Sequence, residues 1–181
     1  MLLGDASVTP SSPSRVTSRI SMAQSIVNFP YLWFVWGIIG PLCQSLPYVN
    51  FHTLGGKIYL NIVIRTRGYA ALSLLLNQFI VDGVKRVPID IFNLLTPIAI
   101  AHWIMCNGGR QANGLVLCTD SFTVFDVVQL MNVLLIKYDI YSTINYNNKQ
   151  PRIYINRVNL LKLRRLVLPH MCKFSQYKLG L

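Results

Sequence analysis

Leu94–Arg110 reads LLTPIAIAHWIMCNGGR, and the way this stretch folds decides the rest of the chain. Thr96 before Pro97 is a helix start, because a threonine hydroxyl can accept from an otherwise orphan backbone N–H and proline's fixed φ suits the first helical position. Gly108 and Gly109 are the stop. Between them the pattern predicts roughly 15 Å of helix at about 1.5 Å per residue. It is apolar on nearly every face, as in a segment packed against protein all round. A bilayer span needs about 20 residues, so this helix is far too short to cross one. Its glycine stop delivers Cys106 and Asn107 to a fixed place at the C-terminal end.

The 181 residues suffice for one domain or two small lobes with a real core, and an apolar content of 52% excludes disorder. Charge is the dominant global feature. Seventeen Lys and Arg face six acids, all of them Asp, for a formal net charge of +11. Such a balance points to a polyanion, either nucleic acid or an anionic membrane surface. From Lys149 onward, Arg152, Arg157, Lys162, Arg164, Arg165, Lys173 and Lys178 follow with no acid among them. A merely solubilising face would mix both signs, so this tail is the expected phosphate-contact surface. Cys43, Cys106, Cys118 and Cys172, like His52, His102 and His170, lack metal-site spacing, which predicts reduced and mostly buried thiols in a reducing compartment. The apolar run Tyr31–Ile39, between Pro30 and Pro41, is also too short to span a membrane. No Ser/His/Asp arrangement, P-loop or GxGxxG supports another enzyme class.

Along the chain, Met1–Asp5 reads as the last turn of an apolar helix whose earlier turns are missing, and Thr9–Ser14 as a Ser/Thr/Pro-rich loop. Val8–Gln24 has the composition of an organellar transit peptide, but the alternation over Arg19–Gln24 predicts a strand from Ile20 to Gln24. A short helix follows over Tyr31–Leu42. Two β-rich runs, Tyr48–His52 and Lys57–Thr66, flank Leu54-Gly55-Gly56, which suits a tight hairpin turn. A helix over Ala70–Ile80 closes at Asp82-Gly83. After Gly114 the order begins again. Leu115–Thr119 is a strand, and Thr123 opens a helix with apolar residues at Val124, Val127, Val128, Met131, Leu134, Leu135 and Tyr138, the stripe of a helix laid on a sheet. Ile140–Asn145 and Arg152–Ile155 form a hairpin about Asn147-Asn148, and Asn159–Leu168 is the closing helix. Asp120 and Asp126, between strand and helix, are expected to serve the helix N-terminus, and His102 to be a packing histidine.

Both halves thus read helix end, strand, helix, hairpin, helix. MLLGD parallels IMCNG, Ala23-Gln-Ser parallels Thr119-Asp-Ser, and the strand from Tyr59 to Arg65 parallels that from Arg152 to Arg157. Internal duplication is the economical explanation. It predicts an α+β chain with two repeats, residues 1–90 and 91–181.

LLTPIAIAHWIMCNGG at 94–109, GLVLCTDS at 114–121, Thr123–Tyr138, PRIYI at 151–155 and LVLPHM at 166–171, with LGDA at 3–6 and Phe79–Pro88 in the first half, resemble the LAGLIDADG homing endonucleases. The resemblance is to the single-chain, two-repeat kind of organellar introns; it covers nearly the whole chain and is strongest from Leu94 onward. It implies two pseudo-symmetric αββαββα-type repeats, their antiparallel sheets forming a saddle on nucleic acid, with the first helix truncated here. It also implies that the two motif helices each end in an acid holding Mg²⁺, since hard divalent cations clamping a phosphodiester want carboxylate oxygens. Asp5 falls on the first acid and Asn107 on the second. A neutral amide removes a full negative charge from the cation's surroundings, and the neighbouring Cys106 is no hard-cation ligand. With the first helix cut short, the apolar face of Ile98–Met105 is expected to need a neighbouring protein to cover it.

The leading expectation is therefore a degenerate member that binds nucleic acid, above all structured RNA, without cutting it, as part of an organellar ribonucleoprotein such as the mitochondrial ribosome. Arg65, Arg67, Arg110, Arg152, Arg157, Lys162, Arg164 and Arg165 would make the phosphate contacts. No cofactor is expected, with Mg²⁺ at Asp5 if nuclease activity remains. The alternatives are an intron-encoded homing endonuclease or nickase that tolerates Asn107, and an RNA maturase for its own intron.

Overall fold

The computed structural model describes residues 1–11 and 16–181. The chain divides into two compact units, residues 4–77 with Leu2, and residues 78–181 with Met1 and Leu3.

In the first unit, β1 (Ala6–Pro10), β2 (Ser18–Ser25), α1 (Phe29–Ile39), β3 (Tyr48–Leu54), β4 (Lys57–Arg65) and α2 (Ala70–Phe79) follow in order. The four strands form one antiparallel sheet, β1-β2-β4-β3. Period-two alternation gives it two unlike faces. Ala6, Val8, Met22, Ile62 and Ile64 are buried on one, while Ser7, Ser21 and Arg65 lie in cross-strand line on the other. β1 corrects the expected loop, since Thr9 and Pro10 belong to a strand, with Thr9 opposite Arg19. The remainder of that loop includes residues 12–15, outside the described residues. α1 buries Tyr31, Leu32 and Val35 and leaves Trp33 and Ile38 half-exposed. Its aromatic side chains shield one another, with Phe29 and Trp33 centroids 5.6 Å apart and Trp33 stacked on Trp36 at 4.9 Å.

The second unit begins with a small hairpin, β5 (Ile80–Val81) and β6 (Val84–Lys85), then α3 (Ile91–Leu94), α4 (Pro97–Asn107), β7 (Gly108–Gln111), β8 (Gly114–Cys118), α5 (Val124–Tyr138), β9 (Thr143–Asn147), β10 (Gln150–Ile155) and α6 (Arg157–Val167). A 3-10 segment, Lys173–Leu179, ends it. Its sheet runs β7-β8-β10-β9, the same order as in the first unit, so the duplication extends to strand topology.

α4 starts as its sequence requires, with Thr96 Oγ1 accepting from Ala99 N–H at 3.3 Å and Pro97 in the first turn. Ile100 to Met105 are all buried, against α6, β8 and the 3-10 turns that follow α6. The expectation that this face lacks a partner is therefore corrected, because the closing helix of the same repeat covers it and only Ile98 stays open. Gly108 does end the helix, but it also begins an edge strand. A Cβ there would lie 2.6 Å from the Ile104 carbonyl oxygen, so only glycine lets the chain turn this sharply from helix into β7.

α5 opens on a capping box. Thr123 Oγ1 accepts from Asp126 N–H at 3.2 Å, and the Asp126 carboxylate accepts from Thr123 N–H at 3.1 Å and from its hydroxyl at 2.6 Å. Burial acts to raise the Asp126 pKa, but the Thr123 hydroxyl, the Thr123 and Val87 N–H groups and Arg86 outweigh it and hold the carboxyl below its ordinary value. The β9–β10 hairpin turns at Asn148-Lys149, one residue later than expected, with both residues at positive φ. No helix among the described residues is long and apolar enough to cross a membrane.

Candidate nucleic-acid interface

Alternation on β10 sends Pro151, Ile153 and Ile155 into the core and leaves Arg152 and Tyr154 on the open face. Register sets Arg152 between Cys118 of β8 and Asn145 of β9. A shallow depression on this side is lined by Arg110, Gln111, Val116, Asn145, Asn147 and Arg152. Arg152 is held rather than loose. It donates from Nε to Asp120 Oδ1 at 2.7 Å and from Nη2 to Asp120 Oδ2 at 2.6 Å. Asn147, with Oδ1 turned toward it, accepts from the same guanidinium at 3.0 and 3.1 Å. The hydrogen bonds from Arg152 keep the exposed Asp120 carboxyl below its ordinary pKa. Asp120 thus serves Arg152, not a helix N-terminus, and the fork arrives at the open face oriented but electrically neutralised.

The other expected phosphate contacts fall into distinct settings. Arg65 ends β4 on the open face of the first sheet, half-buried, and its Nε has no partner among the described residues. Arg67 is exposed just beyond. Arg165 is exposed on α6, and Lys162 pairs with Asp139 at 2.5 Å on the same helix's surface. Arg110, Arg157 and Arg164 gather on the helix side of the second sheet.

Asp5 is exposed, and its carboxylate accepts from Gln24 Nε2 at 2.5 Å; Gln24 in turn accepts from Asn28 at 2.9 Å. Asn107 ends α4, and its Oδ1 is buried without a hydrogen-bond partner among the described residues. Lys178 reaches the same helix end. Its ammonium donates to the Met105 carbonyl at 2.7 Å and lies 3.4 Å from those of Ile104 and Cys106, a cation placed on the negative end of the helix dipole.

These donors do not suit a divalent cation at the α4 position. One neutral amide oxygen, a thiol next to it and a resident ammonium offer too little negative charge for a hard divalent cation. His102, buried in α4, has its pKa lowered to about 4, chiefly by desolvation, and so stays neutral as a packing side chain. Among the described residues none of the four cysteines is disulfide-bonded.

Sequence reading placed Lys178 in the phosphate-contact tail and Asp120 at a helix N-terminus, and missed that one caps α4 and the other holds Arg152. Lys178 lies 73 residues from the carbonyl it caps, beyond any local pattern. Asp120 meets Arg152 through strand register, which opposes Cys118 to Arg152 and places Asp120 at the adjoining strand end.

The sequence profile described as the LAGLIDADG DNA endonuclease family matches residues 1–163. The chain is 32% identical over 185 residues to the cytochrome b mRNA maturase bI2 of Debaryomyces hansenii, covering 99% of this chain and 70% of the relative. It is 30% identical over 193 residues to the maturase bI2 of Saccharomyces cerevisiae, again covering 99% of this chain but only 45% of the relative. In fold it is similar to the homing endonuclease I-WcaI bound to its DNA recognition sequence, with a TM-score of 0.91, 23% identity, and coverage of 98% of this chain and 81% of that one. Duplicated sheet topology, the capped motif helix ending at Gly108 and a profile match over most of the length lead to one assignment: this chain belongs to the LAGLIDADG DNA endonuclease family, in its single-chain, two-repeat form.

Proposed function

We propose that this chain is a maturase-type factor that binds intron-containing precursor RNA in mitochondria and does not cleave duplex DNA. The observation that carries the reading is the end of α4, where the Lys178 ammonium lies on the last carbonyls beside Asn107, the residue that the resemblance aligns with the family's second acid. Cleavage chemistry needs anionic oxygens around a divalent cation, and this helix end presents a neutral amide beside a fixed positive charge. RNA binding needs only the basic surface. Relatives named as cytochrome b mRNA maturases, matching 99% of this chain, support the same choice and favour it over a part in the mitochondrial ribosome.

The test is a paired measurement on the whole chain. A transcript containing the intron should bind with an affinity that falls steeply between 50 and 200 mM salt, about 10³-fold or more for six or more phosphate contacts. Supercoiled plasmid carrying the ligated-exon sequence should remain uncut in Mg²⁺ or Mn²⁺. Salt-insensitive or absent RNA binding would overturn the proposal.

A second reading, DNA nicking through Asp5, is favoured by one observation: Asp5 is an exposed carboxylate with an oriented amide partner. Nicking abolished by Asp5→Asn would establish it.

A further inference from the structure

On the helix side of the second sheet, away from the open face, a cavity of about 260 Å³ is lined by Arg110, Asn113, Arg157, Leu160, Leu161 and Arg164. Three guanidiniums therefore meet in one depression, and no carboxylate lines it. The guanidiniums of Arg110 and Arg157 make no hydrogen bond or ion pair with the described residues. Arg164 spends Nε, at 2.7 Å, and Nη2 on the Leu179 carbonyl, which fixes its plane at the pocket wall. Convergence is enforced by the chain. A Cβ at Gly180 would stand 2.9 Å from Arg164 Nη2 and 3.2 Å from Arg110 Nη1, so both guanidiniums crowd onto this glycine, whose φ of +78° itself disfavours any larger residue. Like charges held together with no counter-ion of their own define a place for an anion, and forked N–H donors match phosphate oxygens.

We propose that this pocket binds a backbone phosphate of the RNA strand, as a second contact surface beyond the open face of the sheet. The inference rests on the RNA-binding reading and adds where a strand must run. Arg110, on edge strand β7, borders both the open-face depression and this pocket, so it joins them around the sheet's edge. A duplex lying on the open face is too stiff to turn around one strand and reach the far side, given a persistence length of about 150 base pairs. A single or looped RNA strand turns that corner readily, and folded RNAs present such strands.

The experiment uses the whole chain with its arginine Nε–Hε signals observed by NMR and three probes: inorganic phosphate, a 20-nucleotide oligouridylate and a 20-base-pair DNA duplex. Phosphate is expected to shift the Arg110 and Arg157 signals saturably, oligouridylate to displace it, and the duplex to leave Arg157 unmoved. In Arg110→Gln/Arg157→Gln, the slope of log affinity for oligouridylate against log salt should fall by about 1.4, from two lost single-strand contacts at about 0.7 each. The single variant Arg157→Gln should lose about half of that. Wild-type oligouridylate binding with an unchanged slope in the variants overturns the pocket and leaves RNA binding standing. Displacement by the duplex at Arg157 as strong as by oligouridylate overturns the strand assignment. Saturable phosphate shifts without any oligouridylate binding overturn the RNA reading and leave a bare anion pocket.

Discussion

Asp120 and His102 show how single residues set charge in this chain. Asp120 holds Arg152 through two hydrogen bonds and in doing so cancels its charge on the open face. Asp120→Asn should release one effective cation there, steepening the salt dependence of RNA binding by about 0.7 in the log–log slope; titrations at four salt concentrations would measure it. His102 acts through pH. It titrates near 6.5 in the unfolded chain and about 4 in the folded one, so between those values the unfolded chain holds a proton that the folded chain does not. Stability should therefore be full above about pH 6.5 and decline as pH falls toward 4, by about 3 kcal/mol in all. Denaturant melts at pH 4.5 and 7 on the native chain and on His102→Gln check this, and the variant should lose most of the difference. The packing role of His102 was legible from its apolar neighbours. The partner of Arg152 was not, because it depends on strand register, which a single sequence specifies weakly.

At the scale of elements, local chemistry decided what could be read. The starts of α4 and α5 were evident at Thr96 and Thr123 because a cap is a contact between residues three apart. Thr123→Ala should cost about 1 kcal/mol and lower the melting temperature by about 2–4 °C, measurable by calorimetry. β1 and β7 were hidden for the opposite reason. Pro10 and the Gly108-Gly109 pair are poor strand formers, and these edge strands exist because β2 and β8 offer them a ladder. The β9–β10 turn was placed one residue early because Asn147-Asn148 looks like a turn pair, whereas the chain puts Asn148 and Lys149 at positive φ. Lys149→Gly should relieve that strain and raise stability by about 1 kcal/mol, as chemical denaturation would show.

For the whole molecule, the repeated succession of strand, helix, hairpin and helix and the excess of basic residues were both visible in the sequence, since composition and repeated motifs survive without knowledge of packing. What the basic residues do was less visible. Arg152, Lys162 and Arg164 already have partners within the chain, in Asp120, Asp139 and the Leu179 carbonyl, whereas the guanidiniums of Arg110 and Arg157 are spared. Charge counting identifies a polyanion binder; only the folded arrangement separates cations that build the protein from cations left to meet a ligand.

Lys178 makes any loss of metal chemistry hard to reverse. On the proposed reading, Asn107→Asp alone would return a carboxylate to a helix end whose field a tethered ammonium already satisfies, and Lys178→Met alone would leave a neutral amide. Neither should bind terbium above background by luminescence, and only the double variant should gain a signal. Each step back is therefore blank by itself, with no intermediate for selection to favour. Because this cation is covalently part of the chain, no chelator can strip it away, and folding and RNA binding should proceed unchanged in EDTA.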